Sequence, residues 1–334
     1  MLHAAVDIGT NTFRLLIARP ARNKQASPPW ETIYYTHRIV RLGEGLHHSG
    51  KLSEACMRRA TTALEEFAGI ITAHGIKPET VHAVATAAMR EAENGEVFRH
   101  YIMQQTGLNL CIIEGKSEAA MSLQGAAAVL EVKTRRDMLL FDIGGGSTEF
   151  IRAHEGVLCD AISRKLGVVC LVEAYLNSDP PNAANYSAMI AASNRHLDSV
   201  EQHWGDGRIP AHLVGTAGTV TTLAAIHLDL APYDADTINN HVISRSEFFV
   251  LRNRLLSLPH DQRQAMRTIE KGRADLMVAG LAIIEAVLTR WNYSKLIVVD
   301  AGLLEGAWIT ANAEASRLRS PGFFHGAAQG IQNP

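Results

Sequence analysis

The sequence predicts an α/β protein made of two similar halves, and three observations predict it. Apolar strand-like segments alternate with helical ones along the chain. One pattern occurs twice, as Val6-Asp7-Ile8-Gly9-Thr10-Asn11-Thr12-Phe13-Arg14-Leu15 and as Phe141-Asp142-Ile143-Gly144-Gly145-Gly146-Ser147-Thr148-Glu149-Phe150, its two aspartates 135 residues apart. At 334 residues the chain is also long for a single core, so two domains are expected.

Residues 3–8 and 12–19 read as strands joined by the Gly9-Thr10-Asn11 turn, and 30–40, rich in aromatic and β-branched residues, as a third. Leu52-Ser53 opens a helix running to about His74, with Ser53 as its N-cap and Gly75 as its stop. A strand at 80–85, a helix near 95–106 and a strand at 109–113 follow, and Ser117 is the expected cap of a helix over 118–131. The second half opens with strands at 137–142, 147–153 and 156–163, then a long helix over 183–204. A strand at 211–215 leads through Gly215-Thr216-Ala217-Gly218-Thr219 into a helix ending near 227. Helices near 245–257 and 272–290, a strand at 295–299 and a last helix opened by Asp300-Ala301-Gly302 complete the set. The expected domains are 1–118 and 119–315, with 316–334 as a flexible tail, because Pro, Gly and Gln there show no periodicity.

A charged fraction of 20% and a net charge of −2 leave no broad basic surface, which argues against nonspecific nucleic-acid binding. Any anionic ligand must then be held by local groups. No segment is long and apolar enough to be read as a membrane span, no leader is recognised at the N-terminus, and a cytoplasmic location is expected. Cys56, Cys111, Cys159 and Cys170 form no C-x-x-C pair and read as reduced packing residues.

The chemistry is expected at the repeated loops. Gly144, Gly145 and Gly146 free the backbone to turn and to aim N–H groups at an anion. Ser147 and Glu149 share a strand face, and Asp142 ends the preceding strand at the same place. Two carboxylates beside such a cradle suit a phosphate–Mg²⁺ complex. Taken alone, the second loop reads equally well as a hairpin whose Asp caps the turn; its echo at Asp7 favours ligand binding. In the first loop Gly9 makes the turn, Thr10, Asn11 and Thr12 supply side-chain donors, and Arg14 lies on the face of Thr12. Gly215, Thr216, Gly218 and Thr219 join a strand to a helix N-terminus; taken alone these glycines read as well as close helix–sheet packing, and the company of the two Asp-Gly loops favours an anion site. A base to orient an attacking water has two candidates, Glu118 and Glu114, and Arg90 follows a strand end where it can reach a ligand. Other basic residues that could hold a long anion are scattered: Lys116, Arg164, Lys165, Arg267, Lys271 and Arg273.

Together with Ala85-Thr86-Ala87-Ala88-Met89-Arg90, Gly115-Lys116-Ser117-Glu118-Ala119 and Asp300-Ala301-Gly302-Leu303-Leu304-Glu305-Gly306, these segments resemble the exopolyphosphatase/guanosine pentaphosphate phosphohydrolase (Ppx/GppA) family over about 4–312. The resemblance implies two actin-like (ribonuclease H-like) domains with the active site between them. It implies Mg²⁺-dependent release of terminal phosphate from inorganic polyphosphate or from pppGpp, and it suggests a homodimer. It casts Glu118 as the base, Asp142 and Glu149 as metal carboxylates, and Asp7, Asn11, Arg90, Gly145, Gly146 and Ser147 as phosphate-binding positions. Leu304 departs from the family, which usually has Arg there, and no counterpart of the C-terminal helical domain of larger members is expected. Two other readings are an ATPase or kinase of the same superfamily and a noncatalytic regulator that binds a guanosine alarmone.

Overall fold

The computed structural model describes residues 1–23, 26–205 and 207–319, with side chains to Glu314. Strands β1 (His3–Ile8), β2 (Thr12–Pro20), β3 (Trp30–Ile39), β4 (His82–Ala85) and β5 (Leu110–Ile112) form one sheet in the order β3-β2-β1-β4-β5. Strands β6 (Asp137–Ile143), β7 (Thr148–His154), β8 (Val157–Arg164), β9 (His212–Thr216), β10 (His241–Ser244) and β11 (Lys295–Val298) form the other, in the order β10-β11-β9-β6-β7-β8. Each sheet opens with an antiparallel three-strand meander, whose first strand then pairs in parallel with a later one. The repeat in the sequence is thus a repeat in topology. β10 has no counterpart among the expected elements, since four residues are too few for an alternation to register.

The helices are α1 (Glu54–Ala73), α2 (Gly95–Thr106), α3 (Gly115–Val129), α4 (Val168–Tyr175), α5 (Ala183–Trp204), α6 (Gly218–His227), α7 (Arg245–Ser257), α8 (Ala274–Arg290) and α9 (Leu303–Arg319), with shorter turns between them. Ser53 caps α1 as expected, accepting from Cys56 N. Ser117 caps nothing: α3 begins earlier, at Gly115, where any larger residue would strike Ser163 on β8. α9 runs to Arg319, past the expected start of the tail, and positions 320–334 lie outside the described residues.

Each half has its own core, one around α1 and β1, β2 and β4, the other around α8 and β6, β9 and β11. A third cluster joins them. α3 lies on β6, β7 and β8, while α9 crosses back to lie on β1, β2 and β4, and the two helices pack on each other between the sheets. They cross with backbones touching. A Cβ on Gly306 would sit 1.9 Å from Met121 O, and one on Gly125 would sit 2.0 Å from Gly302 O. Trp308 Nε1 donates to His3 O at 3.1 Å and ties α9 to the first strand. Leu304 is buried in this cluster, so its apolar packing replaces whatever an Arg would do there.

The cysteine expectation needs correction. All four are free and Cys56 is buried, but Cys111 and Cys159 are exposed because β5 and β8 are edge strands. No helix among the described residues is long and apolar enough to cross a membrane.

Candidate active site

Both repeated turns have the same hydrogen bond: Gly9 N donates to Thr12 O (3.2 Å) and Gly144 N to Ser147 O (2.9 Å). The two loops meet face to face. A Cβ on Gly145 would lie 3.0 Å from Thr10 Cβ and 3.2 Å from Asn11 N, so the middle glycine of the loop has to stay small for the halves to approach. Val168 N and Val169 N, at the start of α4, donate to the carbonyls of Gly144 (3.1 Å) and Gly145 (2.9 Å) and brace the second loop from behind. The halves are also clasped by Arg41, which bonds Asp275 (2.9 Å) and Gly272 O (3.0 Å), and by His37 with Glu270 (2.6 Å).

The loops flank a cleft of about 730 Å³, part of it open to solvent. Asp7, Gly9, Thr10, Asn11, Thr12 and Arg14 line it from one side. Asp142, Gly144, Gly145, Gly146, Ser147, Gly218 and Thr219 line it from the other, and Glu118 enters from the junction. Asp7 Oδ1 and Asn11 Oδ1 are buried without a hydrogen-bond partner. Buried acceptors are rarely left so without a ligand or ion to meet them.

The register sets the electrostatics. In the first half Asp7 stands directly opposite Arg14 and pairs with it at 3.2 Å. In the second half the equivalent pair is Asp142 opposite Glu149, two carboxylates. Like charges facing across a strand pair repel, and both groups are buried. Their hydroxyl partners, Ser122 on Asp142 Oδ2 (2.6 Å) and Ser163 on Glu149 Oε1 (2.7 Å), carry no charge. Burial pushes both carboxyls above their ordinary range, and Asp142 adds to the rise at Glu149. Asp7 is pushed up to about 6 by burial, against the pull of Arg14. The first half is self-neutralised; the second carries an uncompensated pair suited to a cation. Among the described residues there is no cluster of three or more acidic, His or Cys side chains that could hold a metal alone. Two carboxylates, with phosphate oxygens and water as the remaining ligands, are the donor set Mg²⁺ commonly uses.

Glu118 is 6% exposed, in the first turn of α3, and Arg90 Nη1 donates to its Oε2 at 3.1 Å and to Ile113 O at 2.6 Å. Burial, then Glu149, raises its carboxyl well above the ordinary value, and Arg90 opposes the rise. Glu114, its rival in the sequence, is exposed at the N-cap and does not line the cleft. Arg90 itself stands behind Glu118 rather than on the cleft wall.

Three further expected residues are not brought to the cleft wall. Gly215 lies within β9, where a side chain would strike Phe141, Val220 and Leu296, so close sheet packing accounts for it. Thr216 faces a neighbouring cavity and donates to Ala301 O (3.1 Å). Glu149 is one layer back, beside Asp142. The expectations missed Thr86, Ala217 and Met277, which do line it, and named Arg273, which lines it too, only among the scattered basic residues. Ala217 holds φ at +71°, a strained value for a residue with a Cβ. Arg273 reaches across to Thr12 Oγ1 at 3.4 Å from a segment expected only to begin a helix.

A cleft between two α/β halves, with phosphate-type loops on both sides and three buried carboxylates at one end, defines a phosphoryl-handling enzyme. The chain belongs to the Ppx/GppA phosphatase family, whose model matches residues 21–312. It is 31% identical over 316 residues to exopolyphosphatase 2 of Mycobacterium tuberculosis, covering 91% of this chain and 96% of that protein. It is 30% identical over 306 residues to the guanosine-5'-triphosphate,3'-diphosphate pyrophosphatase of Aliivibrio fischeri, covering 91% of this chain but 58% of that longer protein. Among solved structures, the Ppx/GppA family member of Aquifex aeolicus superposes with a TM-score of 0.77 at 27% identity, over 96% of this chain and 99% of that one. An exopolyphosphatase from Cytophaga hutchinsonii superposes with a TM-score of 0.84 at 26% identity, over 94% and 98%. The protein is a hydrolase acting on phosphoric anhydrides, with the two-domain fold of these structures.

Proposed function

We propose that the protein removes terminal phosphate from inorganic polyphosphate, from guanosine pentaphosphate, or from both. The observation that carries the reading is the buried Asp142–Glu149 pair beside Glu118, across from the loop of Asp7 to Thr12. The glycine loops and the N-terminus of α6 hold the phosphates. Glu118, oriented by Arg90, takes the proton of the attacking water and holds that water in line with the terminal phosphorus. Arg14 and Arg273 stand where negative charge is spread over the chain of phosphates.

The family is generally dependent on a divalent metal, and Mg²⁺ is our proposal for its identity here. Asp142 and Glu149 would hold it with their waters. Bound there, the cation neutralises the two carboxylates and the charge that develops on the transferred phosphoryl group. The catalytic and binding roles given to Glu118, Asp142, Glu149 and the loop residues rest on the cleft geometry and on the family motifs.

The deciding experiment measures phosphate release from polyphosphate, pppGpp and ATP in parallel, with and without Mg²⁺. Release from the first two in a metal-dependent manner supports the reading. ATP turnover with neither of them marks a kinase or ATPase, and binding without turnover under any metal marks an alarmone-binding regulator. A cytoplasmic location is proposed from the four free cysteines, since a reducing compartment keeps thiols free. A homodimer is proposed from the resemblance, and sedimentation of the purified chain tests it.

A further inference from the structure

Glu118 is not the only side chain that α3 sends toward the cleft carboxylates. Ser122 follows it by four residues, one helical turn, and lies on the same face. Its hydroxyl is fully buried and donates to Asp142 Oδ2 at 2.6 Å. Among the described residues the Asp142 side chain makes no other hydrogen bond, so Oδ2 is engaged and Oδ1 is left for a ligand. Glu149 is held in a similar way: Ser163 on β8 donates to its Oε1 at 2.7 Å, and Ser147 bonds the carboxyl as well.

Neither partner of the Ser122 bond has room to move. Asp142 stands in β6 between Glu149 on β7 and Thr216 on β9, its backbone fixed from both sides. α3 is pinned before and after Ser122. A Cβ on Gly115 would lie 2.5 Å from Ser163 Cβ, and one on Gly125 would lie 2.0 Å from Gly302 O. What remains free is the rotation of the Asp142 carboxylate, and the Ser122 hydroxyl sets it.

Divalent cations differ in what they ask of a carboxylate. Ca²⁺ takes about six to eight oxygens and often binds both oxygens of one carboxylate. Mg²⁺ demands a near-octahedral shell, keeps several waters and uses one or two carboxylates. To give both oxygens to a cation, Asp142 must release Ser122 and strand its hydroxyl at a fully buried position.

We propose that Ser122 is a specificity-determining residue for the metal: by holding Asp142 Oδ2 it confines Asp142 to ligation through one oxygen and so disfavours Ca²⁺ against Mg²⁺. This role rests on the metal reading of Asp142 and Glu149 given above.

The test is Mn²⁺ binding to the full chain, followed by loss of the free-ion EPR signal, with Mg²⁺ and Ca²⁺ as competitors and no substrate present. The parent is compared with Ser122→Ala, Ser122→Cys and Asp142→Asn. Ala removes the donor, and Cys fills the same buried position with a much weaker one. Both serine variants are expected to bind Ca²⁺ better relative to Mg²⁺ than the parent does, by about tenfold, the lower end of what loss of a ligand's hydrogen-bond partner does to metal affinity. An unchanged ratio in both overturns the proposal. So does an equal loss of all three ions, which is what mere loosening of the site gives. Asp142→Asn tests the metal reading separately. Weaker Mn²⁺ binding there, with an unchanged ratio in the serine variants, leaves that reading standing and removes only the role of Ser122; Mn²⁺ binding equal to the parent's removes both.

Discussion

Replacing Glu118 by Gln isolates one atom's chemistry. The side chain keeps its shape in a site where it is 6% exposed, and Arg90 keeps its 2.6 Å bond to Ile113 O. What is lost is a carboxylate able to accept a proton. General-base contributions amount to about 10² to 10⁴ in rate, or about 3–5 kcal/mol in the barrier. The neighbourhood argues for the upper part of that range, because no other carboxylate is at liberty to substitute. Asp7 is paired with Arg14, Asp142 accepts from Ser122, and Glu149 sits one layer back on Ser163. Folding should not suffer. Burial already disfavours the Glu118 anion, so the neutral amide removes a cost. The assay is steady-state phosphate release from pppGpp and from a short polyphosphate, with equilibrium substrate binding measured on the same preparation. The expected result is a kcat at least about 10³-fold lower with substrate affinity near that of the parent. A kcat within tenfold of the parent, in a variant that binds substrate normally, would refute the assignment of the base.

Asp142→Asn and Glu149→Gln should each shift the Mg²⁺ activation curve to higher concentration, since each removes a negative charge from the facing carboxylate pair at the cleft; an unchanged curve in both would separate these carboxylates from the metal. Asp7 is pushed up to about 6 and Glu305 to about 7 by burial, from ordinary values of 3.8 and 4.5. The folded protein therefore holds these protons more tightly than the unfolded chain does. Their stabilising effect is complete below the unfolded values and is lost as pH rises through about 6 to 7. The Tm without metal should fall between pH 5 and 8, and Glu305→Gln should flatten that fall; a Tm that climbs over the same range would contradict the sign. Gly306→Ala sets a Cβ 1.9 Å from Met121 O, so α3 and α9 must part, and urea unfolding should show a loss of about 1–3 kcal/mol or more. On a long polyphosphate of defined length a ladder of intermediates is expected, with shallow salt dependence. The scattered basic residues are largely committed elsewhere, Arg164 to Ser199 O and Lys165 to Glu91. Disappearance of full-length chains without intermediates would show a track beyond the cleft.

The sequence by itself determined the two-half architecture and the chemistry of the loops. Both are local. A Gly turn between two apolar strands, read twice at Asp7 and Asp142, specifies its own backbone shape and the side of the sheet that Ser147 and Glu149 occupy. The proposed base was less legible: Glu118 and Glu114 are both ordinary near a helix start, and only the fold shows that Glu114 stands outside the helix as its exposed N-cap while Glu118, one turn in, is buried on the cleft. Gly215 was legible as a required glycine with packing and anion binding both open, and the ring of Phe141, which comes from another strand, decided for packing. Arg273 carried no local signal of its place in the cleft, since its partner Thr12 lies far away in the chain. Only the tertiary structure decided that α9 leaves the second sheet and returns to the first, crossing α3 backbone to backbone at Gly125 and Gly306. It also decided what the opposite charges at the equivalent positions 14 and 149 face. Register sets Arg14 against Asp7, a pair that neutralises itself, and sets Glu149 against Asp142, a pair of buried carboxylates whose repulsion the proposed cation would relieve.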